Sequence, residues 1–184
     1  MSLDMFGLNE RRWWTPYLDV LPRRCHLWRV MRPPPPLLAV AAGLTQWALT
    51  KGAPPPPAPR AAAAIAIGAA SGTLAAAAAG AFRRQGTTLE PFNPALASVL
   101  VTTGANSVSR NPMYLGLTGL LVANALRRGS WKAIVPVAAF TLAIDRFQIA
   151  AEESALLANF GADYEAYHVA VPRWLGRRSL KPRS

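Results

Sequence analysis

The chain contains 184 residues, of which 52% are apolar and 16% are charged, with twenty Lys and Arg against nine Asp and Glu. This high apolar fraction excludes a disordered chain. The length excludes two independent soluble domains. The formal net charge of +11 suits either nucleic acid or an anionic membrane surface. Cys25 is the single cysteine, so we expect no intrachain disulfide and no metal site.

Residues 1–33 form a basic segment in which tryptophans are interleaved with arginines. Indole rings and guanidinium groups are typical of a segment that lies at the headgroup level of a bilayer. The same pattern would also stack on single-stranded nucleic acid. Because an uncharged stretch long enough for a bilayer follows at once, we expect the lipid bilayer as partner and no nucleic acid. No apolar core precedes Arg11, so a cleaved signal peptide is not expected.

Four apolar runs predict membrane spans near residues 34–51, 61–82, 113–126 and 131–145. The second run has 22 residues without a charge, and its Gly68 and Gly72 have the G-x-x-x-G spacing that permits a homodimer. The last two runs are short, so a tilted, partly sunken helical hairpin and two complete spans both remain open. The sequence predicts an all-α membrane bundle of about four transmembrane helices, then a C-terminal amphipathic helix from Gln148, broken at Gly161.

The distribution of basic residues predicts how this bundle is oriented. With four crossings, fifteen Lys and Arg lie on the side of the N-terminus and five on the other side. Basic residues favour the cytoplasmic side, so both termini are expected to be cytoplasmic. Arg127, Arg128 and Lys132 violate this pattern locally. The resulting organisation is an interfacial segment at 1–33, a membrane domain at 34–175 and a basic tail at 176–184.

Two stretches, 83–116 and 145–174, contain most of the ionisable residues that lie in or beside the predicted spans, where a charge costs free energy. Both stretches follow apolar spans on the predicted cytoplasmic side. We therefore expect the two stretches to meet at the membrane surface. Asn111-Pro112 predicts a helix start whose free N–H groups attract an anion, with Arg110 beside it. Such a helix start is common, and a solvated helix explains Glu152 and Glu153 equally well. Neither stretch alone identifies a function.

Together the two stretches carry several motifs in a fixed order: TTG, SRNPMYLG, an apolar hairpin, EE-x-x-L, FG-x-x-Y-x-x-Y and VPRWL. This order resembles the isoprenylcysteine carboxyl methyltransferase family in its short bacterial form, which is related to the phospholipid methyltransferases. The resemblance covers residues 82–175. It implies a multi-pass enzyme of the bacterial inner membrane that binds S-adenosylmethionine and methylates a lipophilic acceptor reached from the bilayer.

The resemblance also implies roles for individual residues. Catalytic roles fall to Arg110, Asn111 and Tyr114. Cofactor binding falls to the residues that match the family's motifs: Pro112, Tyr114, Gly116, Arg146, Glu152, Glu153, Tyr164 and Tyr167. An ionised carboxylate acceptor would need no base, whereas an amine or thiol would need one, for which Glu152, Glu153 and His168 are the candidates.

The sequence departs from the family pattern at two places. Asn111 stands where the eukaryotic enzymes have His, and Ala105-Asn106-Ser107 stands where the family usually reads Pro-Tyr-Arg. The second departure leaves a non-catalytic membrane protein open. A membrane reductase that uses NADPH is another alternative, although a basic site for the 2′-phosphate is not recognisable. The acceptor also stays open between a prenylated cysteine carboxylate, a phospholipid, an isoprenoid acid and a small amine or thiol.

Overall fold

The structure is a computed structural model that describes residues 33–84 and 99–180. The predicted interfacial segment at 1–33, apart from Pro33, lies outside the described residues, as do the loop at 85–98 and the last four residues of the predicted basic tail. Every regular element within the described ranges is helical, which confirms the predicted all-α class.

Five helices form the described part of the chain. They are α1 (Pro35–Leu49), α2 (Ala58–Arg84), α3 (Pro112–Arg128), α4 (Trp131–Phe160) and α5 (Ala162–Ala170). Prolines occupy the first turns of α1 and α3, where the missing N–H costs nothing and the fixed φ angle favours a helix. Helix α3 ends at Arg128. The next residue, Gly129, has a left-handed φ of 63° and begins the two-residue turn into α4.

Helix α4 is longer than the sequence predicts. Instead of a span at 131–145 and a separate amphipathic helix from Gln148, one helix runs from Trp131 to Phe160. A π-helical turn at Ile144–Ile149 joins its two α-helical parts. The predicted boundary is wrong because the polar residues of this turn find partners in the folded chain and so do not end the helix. The predicted break at Gly161 is confirmed, since this glycine has a φ of 49°.

Two described helices are long and apolar enough to cross a bilayer, namely Ala58–Ala81 within α2 and the whole of α4. Helices α1 and α3 have 15 and 17 residues, fewer than the roughly 20 that usually span the hydrocarbon core. The fold therefore supports a membrane protein. The number of crossings, the side on which each terminus lies and the homodimer stay predictions.

Small residues bring α2 and α3 into close contact. A Cβ atom added at Gly116 would lie 2.7 Å from the carbonyl oxygen of Ser71 and 2.8 Å from the Cβ of Ala75. A Cβ at Gly119 would lie 2.1 Å from Ser71 Oγ. Glycine is therefore required at Gly116, because the nearest atom there belongs to the backbone of the facing helix. In the predicted G-x-x-x-G pair, a Cβ at Gly68 would meet Ala123 at 3.7 Å, whereas one at Gly72 meets nothing within 4 Å.

Gln46 joins three helices through its buried side chain. Its Nε2 donates to the carbonyl oxygens of Leu121 on α3, at 3.0 Å, and of Ala133 in the first turn of α4, at 2.9 Å. Its Oε1 accepts a hydrogen bond from Asn124 Nδ2 at 2.6 Å. Both ends of the amide are thus satisfied, and the bonds hold α1 against the α3–α4 hairpin.

The apolar core lies between α3 and α4. Its buried members are Tyr114, Leu121, Ala125, Ala133, Val137, Phe140, Ile144 and Ile149. This packing places the first turn of α3 beside the π-helical turn of α4. Polar residues from both elements therefore collect at that end of the hairpin.

Candidate functional site

Arg110 connects the start of α3 to the C-terminal residues 171–174, which we call the strap. Its backbone N–H donates to the carbonyl oxygen of Pro172 at 2.9 Å. Its Nη1 donates to the carbonyl oxygens of Val171, at 2.6 Å, and His168, at 3.0 Å. A guanidinium group presents five donors in a fixed plane, so one arginine binds several carbonyl groups at once.

The residues on either side of Arg110 hold the strap as well. Ser109 Oγ and Asn111 Nδ2 donate to the carbonyl oxygen of Arg173, at 2.9 and 3.2 Å. Three consecutive residues before α3 thus bind the strap. The expected meeting of the loop and the tail is confirmed.

Glu153 lies between two arginines. Its Oε1 lies 2.7 Å from Arg110 Nη2, and its Oε2 accepts from Arg173 Nη2. Arg173 Nη1 also lies 3.2 Å from Asp145 Oδ1, which accepts a second bond from Trp174 Nε1 at 2.8 Å. The side chains of Arg110 and Glu153 are only 7% and 13% exposed, so they form a shielded ion pair.

Glu152 binds neutral partners instead. Tyr114 Oη donates to its Oε1 at 2.5 Å, and Gln148 Nε2 donates to the same oxygen at 2.6 Å. Both donors are buried. We refer to Arg110, Asp145, Glu152, Glu153 and Arg173 as the charged cluster.

Two tyrosines of α5 border the charged cluster. The rings of Tyr164 and Tyr167 pack edge to face with centroids 6.2 Å apart, and Tyr167 Oη donates to the carbonyl oxygen of Asn106 at 2.8 Å. Burial, followed by the nearby charge of Glu153, raises the pKa of Tyr164 to about 12. The hydroxyl group lies beside Arg110, whose guanidinium group donates to it and partly opposes that rise.

Asn106 contributes an unsatisfied donor to this region. It is 3% exposed and lies in a 3₁₀ turn at Gly104–Ser107. Its side-chain Nδ2 has no hydrogen-bond partner in the part of the chain that the structure describes. Leaving a buried donor unpaired costs about 1–3 kcal/mol, which a bound acceptor would offset. The position that departs from the family pattern is therefore a candidate ligand contact.

The structure brings most of the predicted site residues to this end of the molecule. They are Arg110, Asn111, Pro112, Tyr114, Glu152, Glu153, Tyr164 and Tyr167. Two others do not point into it: Arg146 lies at the edge of the charged cluster, 73% exposed and 3.5 Å from Asp145, and Gly116 packs against α2.

The sequence suggests that Arg146 lies beside the paired glutamates. In the structure, Arg173 lies there instead. Sequence reasoning also missed Asp145, Gln148 and Asn106 as members of the site. The signal for Arg173 was present, because VPRWL is one of the motifs that carry the resemblance. Asp145 and Gln148 gave no separate signal, because their roles depend on the π-helical turn.

The profile of the phospholipid methyltransferase family matches residues 59–163, more than half of the chain. The chain belongs to the phospholipid methyltransferase family. This confirms the resemblance to membrane methyltransferases of the isoprenylcysteine carboxyl methyltransferase type. The matched region contains Arg110, Tyr114 and the paired glutamates and ends before the strap. Members of this family are membrane methyltransferases and generally use S-adenosylmethionine.

Among individual proteins, this phospholipid methyltransferase family member is 44% identical to an uncharacterised protein of Haemophilus influenzae over 63 residues. Those residues cover 34% of this chain and all of that protein. No solved structure matches the chain.

Proposed function

We propose that the protein is a membrane methyltransferase that uses S-adenosylmethionine and methylates a lipophilic acceptor reached from the bilayer. The observation that supports this most directly is the convergence of Arg110, Tyr114, Glu152 and Glu153 at one end of the α3–α4 hairpin, within the region that matches the family. Shielded ion pairs of a membrane protein are candidates for a functional site.

The side chains of this end suit a zwitterionic nucleoside ligand. Glu152 would receive hydrogen bonds from the ammonium group or the ribose hydroxyls, and Arg110 or Arg173 would pair with the carboxylate. Asn106 supplies a buried donor for an acceptor atom of the ligand, and Tyr164 and Tyr167 provide aromatic walls for the adenine. The cofactor, when bound, supplies a methyl group already activated on a sulfonium centre.

The chain's own contribution is then alignment and exclusion of water. Methyl transfer is an in-line displacement, so the rate depends on holding donor and acceptor at the right distance and angle. Glu153 binds both arginines, and the strap, which contains Arg173, accepts a hydrogen bond from Arg110 through the carbonyl oxygen of Val171. Shielding from water strengthens charge contacts of this kind.

The hydrogen-bond pattern favours an acceptor that needs no base. Each oxygen of Glu153 already accepts from an arginine, and Oε1 of Glu152 accepts from Tyr114 and Gln148. His168 is exposed and its carbonyl group is bound by Arg110. A carboxylate acceptor of the prenylated-cysteine type is ionised at neutral pH and fits this arrangement. A phospholipid amine is the second candidate, favoured by the description of the matched family.

The proposal is tested with purified protein and S-adenosylmethionine that carries a radiolabelled methyl group. Separate reactions contain N-acetyl-S-farnesylcysteine, phosphatidylethanolamine or a native lipid extract. Label that alkali releases as methanol identifies a methyl ester, whereas alkali-stable label in lipid identifies an N-methylated product. Glu153→Gln should abolish either product, and Arg177→Gln, an exposed charge loss outside the charged cluster, should preserve it. Folded protein that binds NADPH and not S-adenosylmethionine would overturn the proposal.

A further inference from the structure

The end of the hairpin opposite the charged cluster is strongly basic. It carries Arg60, Arg127, Arg128 and Lys132, with Lys51 nearby at the end of α1. At 1.5 Å per helical residue, Arg128 lies about 21 Å along α3 from Tyr114. This end includes the three residues that violate the predicted charge distribution, and the proposed methyl transfer uses none of them.

The described residues supply no counter-ion for this end. All five described acidic side chains lie between Asp145 and Glu165, in the second half of α4 and in α5. Nε of Arg60 and Nε of Arg128 are buried, and neither has a hydrogen-bond partner within the described ranges. Arg60 packs so closely over the turn that a Cβ at Gly129 would lie 2.4 Å from its Cζ. A buried Nε donor without an acceptor is costly, and a bound anion that accepts from it would offset that cost.

An apolar groove leads to the same place. A cavity of about 490 Å³ opens between α1 and α3. It is lined by Val40, Gly43, Leu44, Trp47, Asn124 and Arg128. Val40 and Leu44 are 58% and 62% exposed and lie about two turns and one turn before Trp47, away from the basic end. The groove therefore has long apolar walls and one cationic end.

Trp47 lies at that end of the groove, beside a lysine. Lys51 Nζ lies 4.4 Å from the centroid of its ring, which is a cation–π contact. Tryptophan beside lysine is typical of the boundary between hydrocarbon and headgroups. The apolar walls then face the acyl region, and Arg128 lies where a lipid phosphate would be.

We propose that this groove is a binding site for one anionic phospholipid, separate from the site of methyl transfer. An acyl chain lies along Val40 and Leu44, and the phosphate accepts hydrogen bonds from Arg128 and from Arg127 or Arg60. A membrane lipid suits the site better than a free anion because most of the groove is apolar. The bound lipid neutralises a basic end that has no described carboxylate and fixes α1 against α3.

Native mass spectrometry of the full chain tests this site. Protein in detergent is mixed with equal amounts of phosphatidylglycerol and phosphatidylcholine, and the retained lipid is measured. We expect the wild type to retain phosphatidylglycerol preferentially and Arg128→Gln to lower that retention about five- to tenfold. Leu44→Ser shortens the apolar wall at an exposed position and should lower it as well, which keeps the test available if Arg128→Gln does not fold.

Arg177→Gln is the matched control, because it removes the same charge from an exposed position near the strap. It should retain the lipid like the wild type. Glycerol phosphate should fail to displace phosphatidylglycerol at equal concentration, since it lacks the acyl chain. Equal retention of both lipids by the wild type, equal loss in Arg177→Gln, or displacement by glycerol phosphate would each overturn the proposal.

Discussion

Arg173 Nη1 lies 3.2 Å from Asp145 Oδ1, so an ion pair ties the strap to the π-helical turn of α4. The same guanidinium group also binds Glu153, eight residues further along α4. The hydrogen bonds to Glu153 hold the pKa of Arg173 above its ordinary value. A single side chain from outside the region that matches the family therefore joins two of the three carboxylates of the charged cluster, Asp145 and Glu153.

Arg173→Lys should weaken the strap while keeping the charge. A lysine ammonium is a point donor and does not span two carboxylates as the planar guanidinium does. We expect about a tenfold weaker affinity for S-adenosylmethionine, equal to about 1.4 kcal/mol, measured by equilibrium binding in detergent. Arg177→Lys, four residues later and exposed, is the control. If the affinity of Arg173→Lys for S-adenosylmethionine is unchanged, the strap does not take part in cofactor binding.

Glu152→Gln and Glu153→Gln should have different effects. Glu153→Gln leaves two arginines facing a neutral amide, so we expect a loss of about 3 kcal/mol in the free energy of unfolding. Glu152→Gln still offers an oxygen to Tyr114 and Gln148, so stability should change by less than about 1 kcal/mol while cofactor affinity falls. Thermal unfolding and binding measurements on the same preparations distinguish the two. If neither variant binds the cofactor more weakly, the assignment of the paired glutamates is wrong.

The local features of the site were predictable from the sequence. Asn111-Pro112 correctly predicted a helix start, and Gly161 correctly predicted a break between two helices. The two polar stretches were correctly expected to meet, as the ion pair between Arg110 and Glu153 shows. The helix start and the break were predictable because they depend on the φ angles that proline and glycine prefer. Those preferences hold whatever residues lie nearby.

The length of α4 and the choice of arginine were not predictable in this way. Charges after an apolar run usually end a span, but Asp145 is matched by Arg173 and Trp174, so the helix continues. A π-helical turn also shifts the phase of every residue after it. Arg146 lies within this turn and is 73% exposed, although its position in the sequence suggested a site residue.

The contacts of Gln46 illustrate the same limit. One polar residue in an apolar run indicates a buried partner, but the sequence does not identify backbone carbonyl groups 75 and 87 residues away. Those partners follow only from the packing of α1 on the hairpin. Tertiary contacts of this kind are set by helix placement and not by local pattern.

Gln46→Leu should destabilise the bundle without touching the charged cluster. It removes two hydrogen bonds from Nε2 and leaves Asn124 Nδ2 without its acceptor. We expect a loss of about 1–3 kcal/mol, measured by thermal unfolding in detergent. The neighbouring Thr45→Val is the control, because Thr45 is exposed and bonds only within its own helix, to the carbonyl oxygen of Ala41. Equal stability of the two variants would contradict this role of Gln46.

Tyr164 should make stability depend on pH in the alkaline range. Its pKa is about 12 in the folded protein against an ordinary value of 10.0, so the folded state favours the neutral hydroxyl. This contribution is fully present below pH 10 and is lost as the pH rises through about 12. The stability difference between the wild type and Tyr164→Phe, followed by denaturant unfolding at successive pH values, should therefore shrink or reverse across that window. A difference that stays constant with pH would contradict the raised pKa.

Gly116→Ala should destabilise the bundle more than any other substitution that adds one methyl group between α2 and α3. Its Cβ would meet the Ser71 carbonyl oxygen at 2.7 Å and the Ala75 Cβ at 2.8 Å, so α2 and α3 must separate. Overpacking of this kind costs about 1–3 kcal/mol. Gly72→Ala is the matched control on α2, since nothing lies within 4 Å of its added Cβ and helix propensity favours alanine by about 1 kcal/mol. Thermal unfolding should rank the proteins Gly72→Ala, wild type, Gly116→Ala from most to least stable, and the reverse order would show that α2 and α3 do not pack through Gly116.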